Sequence, residues 1–553
     1  DGGGLGEELA RRLACERIDA RDLGRELPAS LAGIVYLGAL DATDSDPELA
    51  GPTPLALVQA IVRAGRRDPP RLWLVTRGAD ARPGAAILWG LARTIAHEHP
   101  EIEPTRIDLD PGRPDGEVDL LAAEILAGER EPEVSFRGGI RRVARLVRVA
   151  EPEPGPAPQF RPDALQLVTG GLGDLGLALA DWLAANGARR FFLLGRREPS
   201  PEAAGRIRAL EAAGARVLVR TADVSRREDL EAAVESAERE LGPLSGVWHL
   251  AGVLDDATLL SLDRKRFLGV LGPKLGGALH LDRIARTRPV ERFVLFGSSS
   301  ALLGSPGQGN YVAANAALGA LAEARRAGGL PALAVEWGPW EGIGMAARAA
   351  GPAGASSSRG LGTIPAATAF EILGRLLATR HSRVGVVPIE PRRFRESYPK
   401  VARWPLFERL LGAPAAPEAG SGTLRREVEA ARAGERPELL RRRVAEQVAK
   451  VLRIDPGRVG TATPFRAMGF DSLLALELRN RLEESAGVSL PATIAWAHPT
   501  VEALAEHLAA EMGIAAPAAA EAVSPEEGEL DDLSEEDVAA LLAKELGGGR
   551  ERP

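Results

Sequence analysis

Residues 165–187 read LQLVTGGLGDLGLALADWLAANG, an apolar stretch, a glycine-rich turn and a second apolar stretch. The pattern predicts a buried strand, a tight turn and a helix. Gly171, Gly173 and Gly176 form the G-x-G-x-x-G spacing in the strand–turn–helix context that dinucleotide binding requires. The first two glycines let the backbone approach a pyrophosphate, and the third lets the helix pack closely on the strand. The stretch therefore predicts a parallel α/β fold with a dinucleotide at the helix N-terminus, and a plain turn is the alternative.

The residues that follow the next strands predict which dinucleotide binds. The second strand ends in Gly195-Arg196-Arg197, without the carboxylate that holds the ribose 2′-hydroxyl of NAD. Arginine forms fork-shaped, charge-assisted hydrogen bonds to a 2′-phosphate, so we predict NADPH, with two solvated arginines as the alternative. Asp223 either meets the adenine edge or belongs to a turn. The predicted cofactor-binding residues are Thr169, Gly170, Gly171, Leu172, Gly173, Asp174, Leu175, Gly176, Arg196, Arg197, Asp223, Val224, Ala251 and Gly252.

Strand and helix patterns alternate on both sides of this stretch. Residues 151–411 alternate regularly, which predicts a doubly wound parallel sheet. Residues 1–150 show the same alternation but lack a glycine fingerprint, so this half is predicted to bind no dinucleotide. Its strands are expected at 33–40 and 71–79, its helix at 85–100, and a Pro-rich linker at 151–158. The predicted fold class is α/β, with two Rossmann-like subdomains followed by a small all-α helical bundle.

A separate group of residues has the chemistry of a ketone reductase. Reduction needs hydride at carbon and a proton at oxygen, and Tyr311, on a predicted helix, is the candidate proton donor. Its ordinary pKa of ~10 is too high for efficient exchange at neutral pH, so we predict that Lys274 lowers the pKa. Ser298 is the candidate hydrogen-bond donor to the carbonyl oxygen. Taken singly, the three are equally a half-buried tyrosine, a surface lysine and a loop serine.

The ordered set of motifs resembles a polyketide synthase ketoreductase, a relative of the short-chain dehydrogenases/reductases, over about residues 1–410. The resemblance implies a degenerate structural half, a catalytic half and NADPH-dependent reduction of a β-ketoacyl thioester. It places Ser298, Tyr311 and Lys274 at the catalytic positions of the family, and Asn315 in its Y-x-x-x-N arrangement. The sequence departs from the family at LFGS, residues 295–298, where many relatives have two serines.

The same resemblance includes a stereochemical fingerprint. Leu254-Asp255-Asp256 is similar to the motif of B-type ketoreductases, which give the 3R alcohol. The A-type marker is a Trp three residues before the catalytic serine, and Leu295 stands there in this chain. The resemblance therefore implies B-type reduction, and two ordinary turn aspartates are the alternative.

Residues 424–512 are predicted to form an all-helical domain. Ser472 immediately precedes a predicted helix, where the dipole and free N–H groups favour a phosphodiester, although physical reasoning alone favours an ordinary helix cap. The stretch MGFDSLLALELRNRL, residues 468–482, resembles the attachment motif of acyl carrier proteins. The resemblance implies 4′-phosphopantetheine bound covalently to Ser472 and added by a phosphopantetheinyl transferase.

The remaining segments are two linkers, 412–423 and 513–525, and an acidic tail, 526–553. In the tail, Ser534 is expected to cap a helix. The apolar residues expected on one face of this segment are Leu533, Val538, Leu541, Leu542 and Leu546. An apolar face without a local partner indicates a helix that folds on another protein. The tail resembles the docking segments that pass intermediates to a downstream synthase polypeptide, and an acidic solubilising tail is the alternative.

Composition limits the remaining function classes. The net charge of −8 and the lack of a long basic run argue against a nucleic-acid binder. The single cysteine, Cys15, excludes an intrachain disulfide framework and a cysteine-rich metal site, so no metal is predicted. No apolar run is long enough to span a bilayer, and we expect a cytoplasmic, bacterial protein. Because the chain begins without Met, we expect a fragment whose upstream ketosynthase and acyltransferase domains lie elsewhere.

Three rival interpretations remain at this point. The first is a carrier and docking module whose ketoreductase is an inactive scaffold, which the filled catalytic positions argue against. The second is a fatty acid synthase fragment, which the docking-like tail argues against. The third is a free-standing dehydrogenase of small alcohols, which the fused carrier argues against.

Overall fold

The structure is a computed structural model that describes residues 4–19, 28, 31–66, 68–150, 157–345, 361–397, 399–412, 422–452, 454–468, 470, 472–488, 490–491 and 494–514. The chain divides into two compact units, formed mainly by residues up to Ala416 and mainly by residues from Pro417. The predicted linkers lie largely outside the described residues, and the predicted docking tail, 526–553, lies wholly outside them. Within the described residues, no helix combines the length and apolar character that a membrane span requires.

The first half of unit 1 is a five-stranded sheet with helices. Its strands are β1 (Gly33–Tyr36), β2 (Arg71–Arg77), β3 (Thr105–Leu109), β4 (Glu133–Arg137) and β5 (Ile140–Val143), and its helices are α1 (Leu5–Leu13), α2 (Pro52–Arg63), α3 (Pro83–Glu98) and α4 (Glu117–Leu126). The strand order is β1-β2-β3-β4-β5, with parallel pairs up to β4 and an antiparallel β4–β5 pair. We call this half the structural subdomain.

Two strand predictions in the structural subdomain were too long. The first strand ends at Tyr36, because a 3-10 turn over Gly38–Leu40 follows, with the Leu40 amide bonded to the Leu37 carbonyl. The second strand ends at Arg77, because Gly78 has a φ of +64° and turns the chain away. The antiparallel strand β5 was not predicted, and its side chains are exposed, so it lacks the apolar signal of a buried strand.

The second half of unit 1, the catalytic subdomain, is a seven-stranded sheet with helices on both faces. Its strands are β6 (Leu165–Thr169), β7 (Arg190–Gly195), β8 (Arg216–Thr221), β9 (Leu244–His249), β10 (Arg292–Ser298), β11 (Leu333–Trp337) and β12 (Arg383–Val386). Its helices are α5 (Asp174–Ala185), α6 (Pro201–Ala212), α7 (Arg227–Leu241), α8 (Arg264–Leu271), α9 (Gly277–Ala285), α10 (Ser300–Leu303), α11 (Gly309–Ala327), α12 (Ala366–Leu376), α13 (Pro391–Ser397), α14 (Pro399–Ala402) and α15 (Glu408–Leu411), with a π-helical turn at Gly272–Gly276.

The strand order of the catalytic subdomain fixes where a ligand binds. All pairs are parallel, in the order β12-β11-β10-β9-β6-β7-β8. The direction of winding reverses between β6 and β9, and in such sheets ligands bind at this point, outside the carboxyl ends of the strands. Thr169 ends β6 and His249 ends β9, so both stand at the expected crevice.

Helix α3 joins the two subdomains by packing on α11. A Cβ atom at Gly90 would lie 2.6 Å from the Cα atom of Ala313, so the two helices are in close contact there. The segment before α11, which comprises α10 and the loop after it, is held by four side chains of α3, each of which bonds a backbone atom of residues 301–307. These side chains are Arg93 to Ala301, Thr94 to Ser305, His97 to Leu303 and Glu98 to Gly307. The structural subdomain therefore positions the loop that leads to Tyr311.

The described part of unit 2 is helical. Its helices are α16 (Thr423–Ala430), α17 (Arg436–Leu452), α18 (Ser472–Ala486, which belongs to this unit from Glu477 on), α19 (Ile494–Ala497) and α20 (Val501–Glu511). Leu440, Val444 and Val448 recur every four residues and are buried, so they form the inner face of α17, which packs on α20. The two Rossmann-like subdomains and the helical region that follows them confirm the predicted fold class.

Candidate active site

The glycine turn after β6 has the geometry of a phosphate cradle. Gly170 has a φ of +69°, which favours glycine. A Cβ atom at Gly176 would lie 2.4 Å from the carbonyl oxygen of Gly170, so any side chain there would push α5 away from the turn. Helix α5 begins directly after Gly173, without a side-chain cap, and presents its free N–H groups at the turn. These features fit a dinucleotide pyrophosphate.

His249 links the glycine turn to the lysine of the candidate centre. Its Nδ1 atom is 2.8 Å from the Thr169 hydroxyl, and its Nε2 atom is 2.7 Å from the Lys274 carbonyl oxygen. Burial, with the charge of Lys274, lowers the pKa of His249 to about 3, so the ring is neutral. A neutral ring donates from Nε2 to the carbonyl and accepts at Nδ1 from the hydroxyl. His249 was not predicted from the sequence, because its partners are distant along the chain.

The two arginines proposed to select NADPH are exposed directly after β7. Asp223 accepts hydrogen bonds from the amide and the hydroxyl of Ser225, at 2.9 and 2.7 Å. Burial alone would raise the pKa of Asp223. The bonds from Ser225 and the charge of Arg196 outweigh this effect, so the pKa lies below its ordinary value. Asp223 therefore shapes the turn after β8.

Tyr311, Ser298 and Asn315 converge at the start of α11. Tyr311 is buried, and the side chain of Ser298 hydrogen-bonds to it. The Ser298 hydroxyl oxygen also lies 3.0 Å from the Ser300 hydroxyl and accepts from its amide. Asn315 is fully buried, its Nδ2 atom donates to the Tyr311 carbonyl at 2.7 Å, and among the described residues no partner faces its Oδ1 atom.

Lys274 lies inside the π-helical turn and is buried. Its Nζ atom donates to the Phe296 carbonyl at 3.2 Å and lies 5.5 Å from the centroid of the Tyr311 ring. Single π-helical turns are frequent at functional sites. Burial lowers the pKa of Lys274 to about 8, although the charge of Glu336 opposes this. The structure thus brings the predicted lysine and tyrosine together.

The predicted lowering of the Tyr311 pKa is wrong for this structure. Burial raises the pKa of Tyr311 to about 12, and the hydrogen bond from Ser298 offsets only part of that rise. The physical reason is that a phenolate inside the protein loses hydration. Lys274 stands beside the aromatic ring, and burial also lowers the pKa of Lys274 itself.

The aspartate loop is tied to the residues that precede Tyr311. Asp256 accepts from the Gln308 side chain at 2.9 Å, and the Asp255 carbonyl accepts from Asn310 at 2.9 Å. Asp255 also forms an ion pair with Arg266 at 2.6 Å. Leu254 is partly buried against the core shared by the two subdomains. The loop and the tyrosine helix therefore form one wall of the site.

Two buried carboxylates of the site were not predicted from the sequence. Glu336, on β11, accepts from the Ser298 amide at 3.0 Å and from Arg383 at 3.1 Å. Glu98, on α3, accepts from the Leu259 amide at 2.7 Å and from the Gly307 amide at 2.8 Å. A carboxylate within an apolar strand or helix could have indicated these two residues in the sequence, because carboxylates are rarely buried without partners.

Ser472 is the first residue of α18. A serine at this position has the free N–H groups of the helix N-terminus beside it, which suits an attached phosphate.

Family models match three parts of the chain. The model described as "KR domain" matches residues 164–342, and "Phosphopantetheine attachment site" matches residues 442–508. The model described as "Polyketide synthase extender module SpnB, Rossmann fold domain" matches residues 10–146. The matched segments correspond to the catalytic subdomain, the helical region and the structural subdomain.

The similar proteins are polyketide synthases and their ketoreductases. Polyketide synthase GfsA of Streptomyces halstedii is 37% identical over 537 residues, which cover 91% of this chain and 7% of that protein. A phenolphthiocerol/phthiocerol polyketide synthase of Mycobacterium tuberculosis is 37% identical over 398 residues, 71% of this chain and 18% of that protein. The chain thus spans only a small part of these relatives. The first ketoreductase of the tylosin PKS aligns with a TM-score of 0.64 and 32% identity, over 74% of this chain and 92% of that one.

The parallel sheet, the glycine turn and the Ser–Tyr–Lys cluster define an oxidoreductase domain of the short-chain dehydrogenase/reductase class. A carrier domain with a phosphopantetheine attachment site follows it. The chain belongs to the ketoreductases of modular polyketide synthases, which confirms the predicted family.

Proposed function

We propose that this chain reduces a β-ketoacyl thioester, carried on phosphopantetheine at Ser472, to the β-hydroxyacyl thioester with NADPH. The observation that supports the reaction best is the cluster of Tyr311, Ser298 and Lys274, in which Ser298 hydrogen-bonds to Tyr311 and the tyrosine and lysine are buried. The glycine cradle and the exposed Arg196 and Arg197 suit the phosphorylated dinucleotide. When bound, the cofactor supplies hydride to the β-carbon.

The side chains of the chain supply the proton and bind the oxygen. Because burial raises its pKa to about 12, Tyr311 is protonated at neutral pH and is ready to donate its proton to the β-oxygen. Ser298 donates a hydrogen bond to the same oxygen as negative charge develops there. The ammonium of Lys274, beside the ring, stabilises the phenolate that remains. Asn315 fixes the first turn of α11 through the Tyr311 carbonyl.

We further propose B-type reduction, giving the 3R alcohol. The support is the Leu254-Asp255-Asp256 loop, which hydrogen-bonds to Gln308 and Asn310 and so forms a fixed wall beside Tyr311. Chiral analysis of the alcohol made from a short β-ketoacyl thioester tests this, and a 3S product would refute it.

Upstream ketosynthase and acyltransferase domains and a downstream synthase polypeptide are the proposed partners, in the bacterial cytoplasm. The relatives are long multidomain synthases, of which this chain spans a small part. A phosphopantetheinyl transferase is the proposed partner that attaches the arm to Ser472.

The decisive test of the reductase is Tyr311→Phe. The variant loses the proton donor, so turnover of a short β-ketoacyl thioester should cease while NADPH binding, followed by fluorescence, persists. Tyr36→Phe is the matched control, because Tyr36 is also buried but bonds the Leu49 carbonyl in the structural subdomain. If Tyr311→Phe retained turnover, Tyr311 would not be the proton donor. If the parent never consumed NADPH, an inactive scaffold would be the better description.

The test of the carrier is Ser472→Ala. The parent should gain the mass of phosphopantetheine when treated with a phosphopantetheinyl transferase and coenzyme A, and the variant should not. Ser485→Ala is the control, since Ser485 lies on the same helix and bonds the Leu482 carbonyl. A mass gain in Ser472→Ala would show that phosphopantetheine attaches at another residue.

A further inference from the structure

We propose that Glu336 is a positioning residue of the reductase centre, and that Gly297 is its required partner on the neighbouring strand. Glu336 would act through the Ser298 amide and the Lys274 ammonium. This role presupposes the proposed reductase function and adds a residue to its site.

The carboxylate of Glu336 bonds residues of both neighbouring strands. Glu336 is fully buried on β11, where the parallel register pairs it with Gly297 of β10. One oxygen accepts from the Ser298 amide at 3.0 Å, and the other accepts from Nε of Arg383, on β12, at 3.1 Å. The carboxylate therefore holds the end of β10, from which the Ser298 hydroxyl extends toward Tyr311.

Gly297 leaves the space that the carboxylate fills. A Cβ atom at Gly297 would lie 2.3 Å from Oε2 of Glu336, far closer than such atoms approach. The backbone of Gly297 is that of an ordinary strand residue and does not adopt the positive φ that favours glycine. The lack of a side chain is thus explained by the neighbouring carboxylate. The same carboxylate explains why residue 297 is glycine in the LFGS stretch, where many relatives have two serines.

The charge of Glu336 acts on Lys274. Burial lowers the pKa of Lys274, and the negative charge of Glu336 opposes that lowering. Arg383 is a second cation that faces Glu336. Neutral His249 bonds the Lys274 carbonyl, and protonated Tyr311 lies beside the ammonium. The carboxylate thus opposes the loss of charge at Lys274. Burial raises the pKa of Glu336 itself, and Arg383, the Ser298 amide and Lys274 oppose that rise.

A purely structural role for Glu336 makes different predictions. A buried Arg–Glu pair that only holds β11 and β12 together would change stability and leave the pH dependence of turnover in place. A positioning residue changes kcat more than KM, because the serine hydroxyl acts on the developing alkoxide. The two roles are therefore separable by kinetics on folded variants.

The experiment uses the full chain with NADPH and a short β-ketoacyl thioester. In Glu336→Gln, kcat should fall by about tenfold to hundredfold with little change in KM, since small displacements of reacting groups cost about this much. The alkaline limb of the pH profile should move to lower pH, because Lys274 loses its neighbouring negative charge. Glu371→Gln is the matched control, since Glu371 is 63% exposed on α12. A Glu336→Gln variant with the kcat and pH profile of the parent would overturn the proposal.

A double-mutant cycle tests the pairing of Gly297 with Glu336. Gly297→Ala should reduce kcat strongly in the parent, and much less in the Glu336→Ala background, where the added methyl group has space. Equal effects in both backgrounds would refute the pairing, and circular dichroism identifies any variant that fails to fold. A parent without turnover would refute the proposed function itself, whereas an active parent with an unaffected Glu336→Gln would refute only the positioning role.

Discussion

The Nζ atom of Lys274 lies 5.5 Å from the centroid of the Tyr311 ring, and both side chains are buried. At this distance a cation is attracted to the face of the ring. The attraction becomes stronger once Tyr311 has given up its proton, because the ammonium then faces a phenolate. In the proposed reaction, the charge of Lys274, rather than the resting pKa of Tyr311, is therefore the quantity on which turnover depends.

The first prediction concerns pH. Because burial lowers the pKa of Lys274 to about 8, the rate of ketone reduction should fall as pH rises through about 8. The measurement is kcat/KM with a short β-ketoacyl thioester from about pH 6 to about pH 10. Lys274→Met should lose turnover at every pH, whereas Lys265→Met, at an exposed lysine of α8, should behave as the parent. A profile that stays flat to about pH 10 would contradict the assignment.

The second prediction concerns the choice of cofactor. Replacing both Arg196 and Arg197 with Ala should raise the KM for NADPH by roughly tenfold to hundredfold, because hydrogen bonds to a charged phosphate are lost. The KM for NADH should change little, since NADH lacks that phosphate. Arg239→Ala, at an exposed position of α7, is the control. Equal losses with both cofactors would show that the arginines do not read the 2′-phosphate.

The third prediction concerns stability and Glu98. Burial raises the pKa of Glu98 from its ordinary 4.5 to about 7, so the folded state favours the protonated form. The free energy of unfolding should therefore decrease as pH rises from about 4.5 to about 7, by up to about 3 kcal/mol. Glu98→Gln cannot ionise and should lack this dependence, whereas Glu235→Gln, at an exposed position, should keep it. Urea unfolding followed by tryptophan fluorescence measures the effect, and identical pH dependence in parent and Glu98→Gln would be the contrary result.

The fourth prediction compares two helical glycines. Gly90→Ala should destabilise unit 1 by about 1–3 kcal/mol, because its methyl group would overlap the backbone of α11 at Ala313. Gly269→Ala, on α8, has open space around the new methyl group and should be neutral or stabilising by up to about 1 kcal/mol. Thermal unfolding separates the two cases. A Gly90→Ala variant as stable as Gly269→Ala would mean that α3 and α11 are not in close contact.

The parts of the site that depend on local pattern could be predicted from the sequence. The turn around Gly171, the serine at the end of β10 and the tyrosine on α11 each stand in a recognisable strand, loop or helix. The two Rossmann-like subdomains follow from alternating strand and helix patterns, which do not depend on long-range contacts. The strand ends at Tyr36 and Arg77 were misjudged because turn geometry, not hydrophobicity, ends those strands.

The residues that escaped prediction act through partners distant in the chain. His249 connects Thr169 with Lys274, and Glu98 connects two loops more than 150 residues away in sequence. The pKa of Tyr311 was misjudged for a related reason, because its value follows from burial created by the whole fold. Local pattern identifies reactive groups, but not the surroundings that set their protonation.

The four α3 side chains that hold the loop before Tyr311 bear on engineering of this enzyme. A recombination junction between the two subdomains would separate that loop from Arg93, Thr94, His97 and Glu98, which come from the other side of the junction. Grafting the proposed reduction step into another assembly line therefore requires both subdomains as one cassette. Transferring the catalytic subdomain alone would move Tyr311 without the α3 side chains that hold the segment before it.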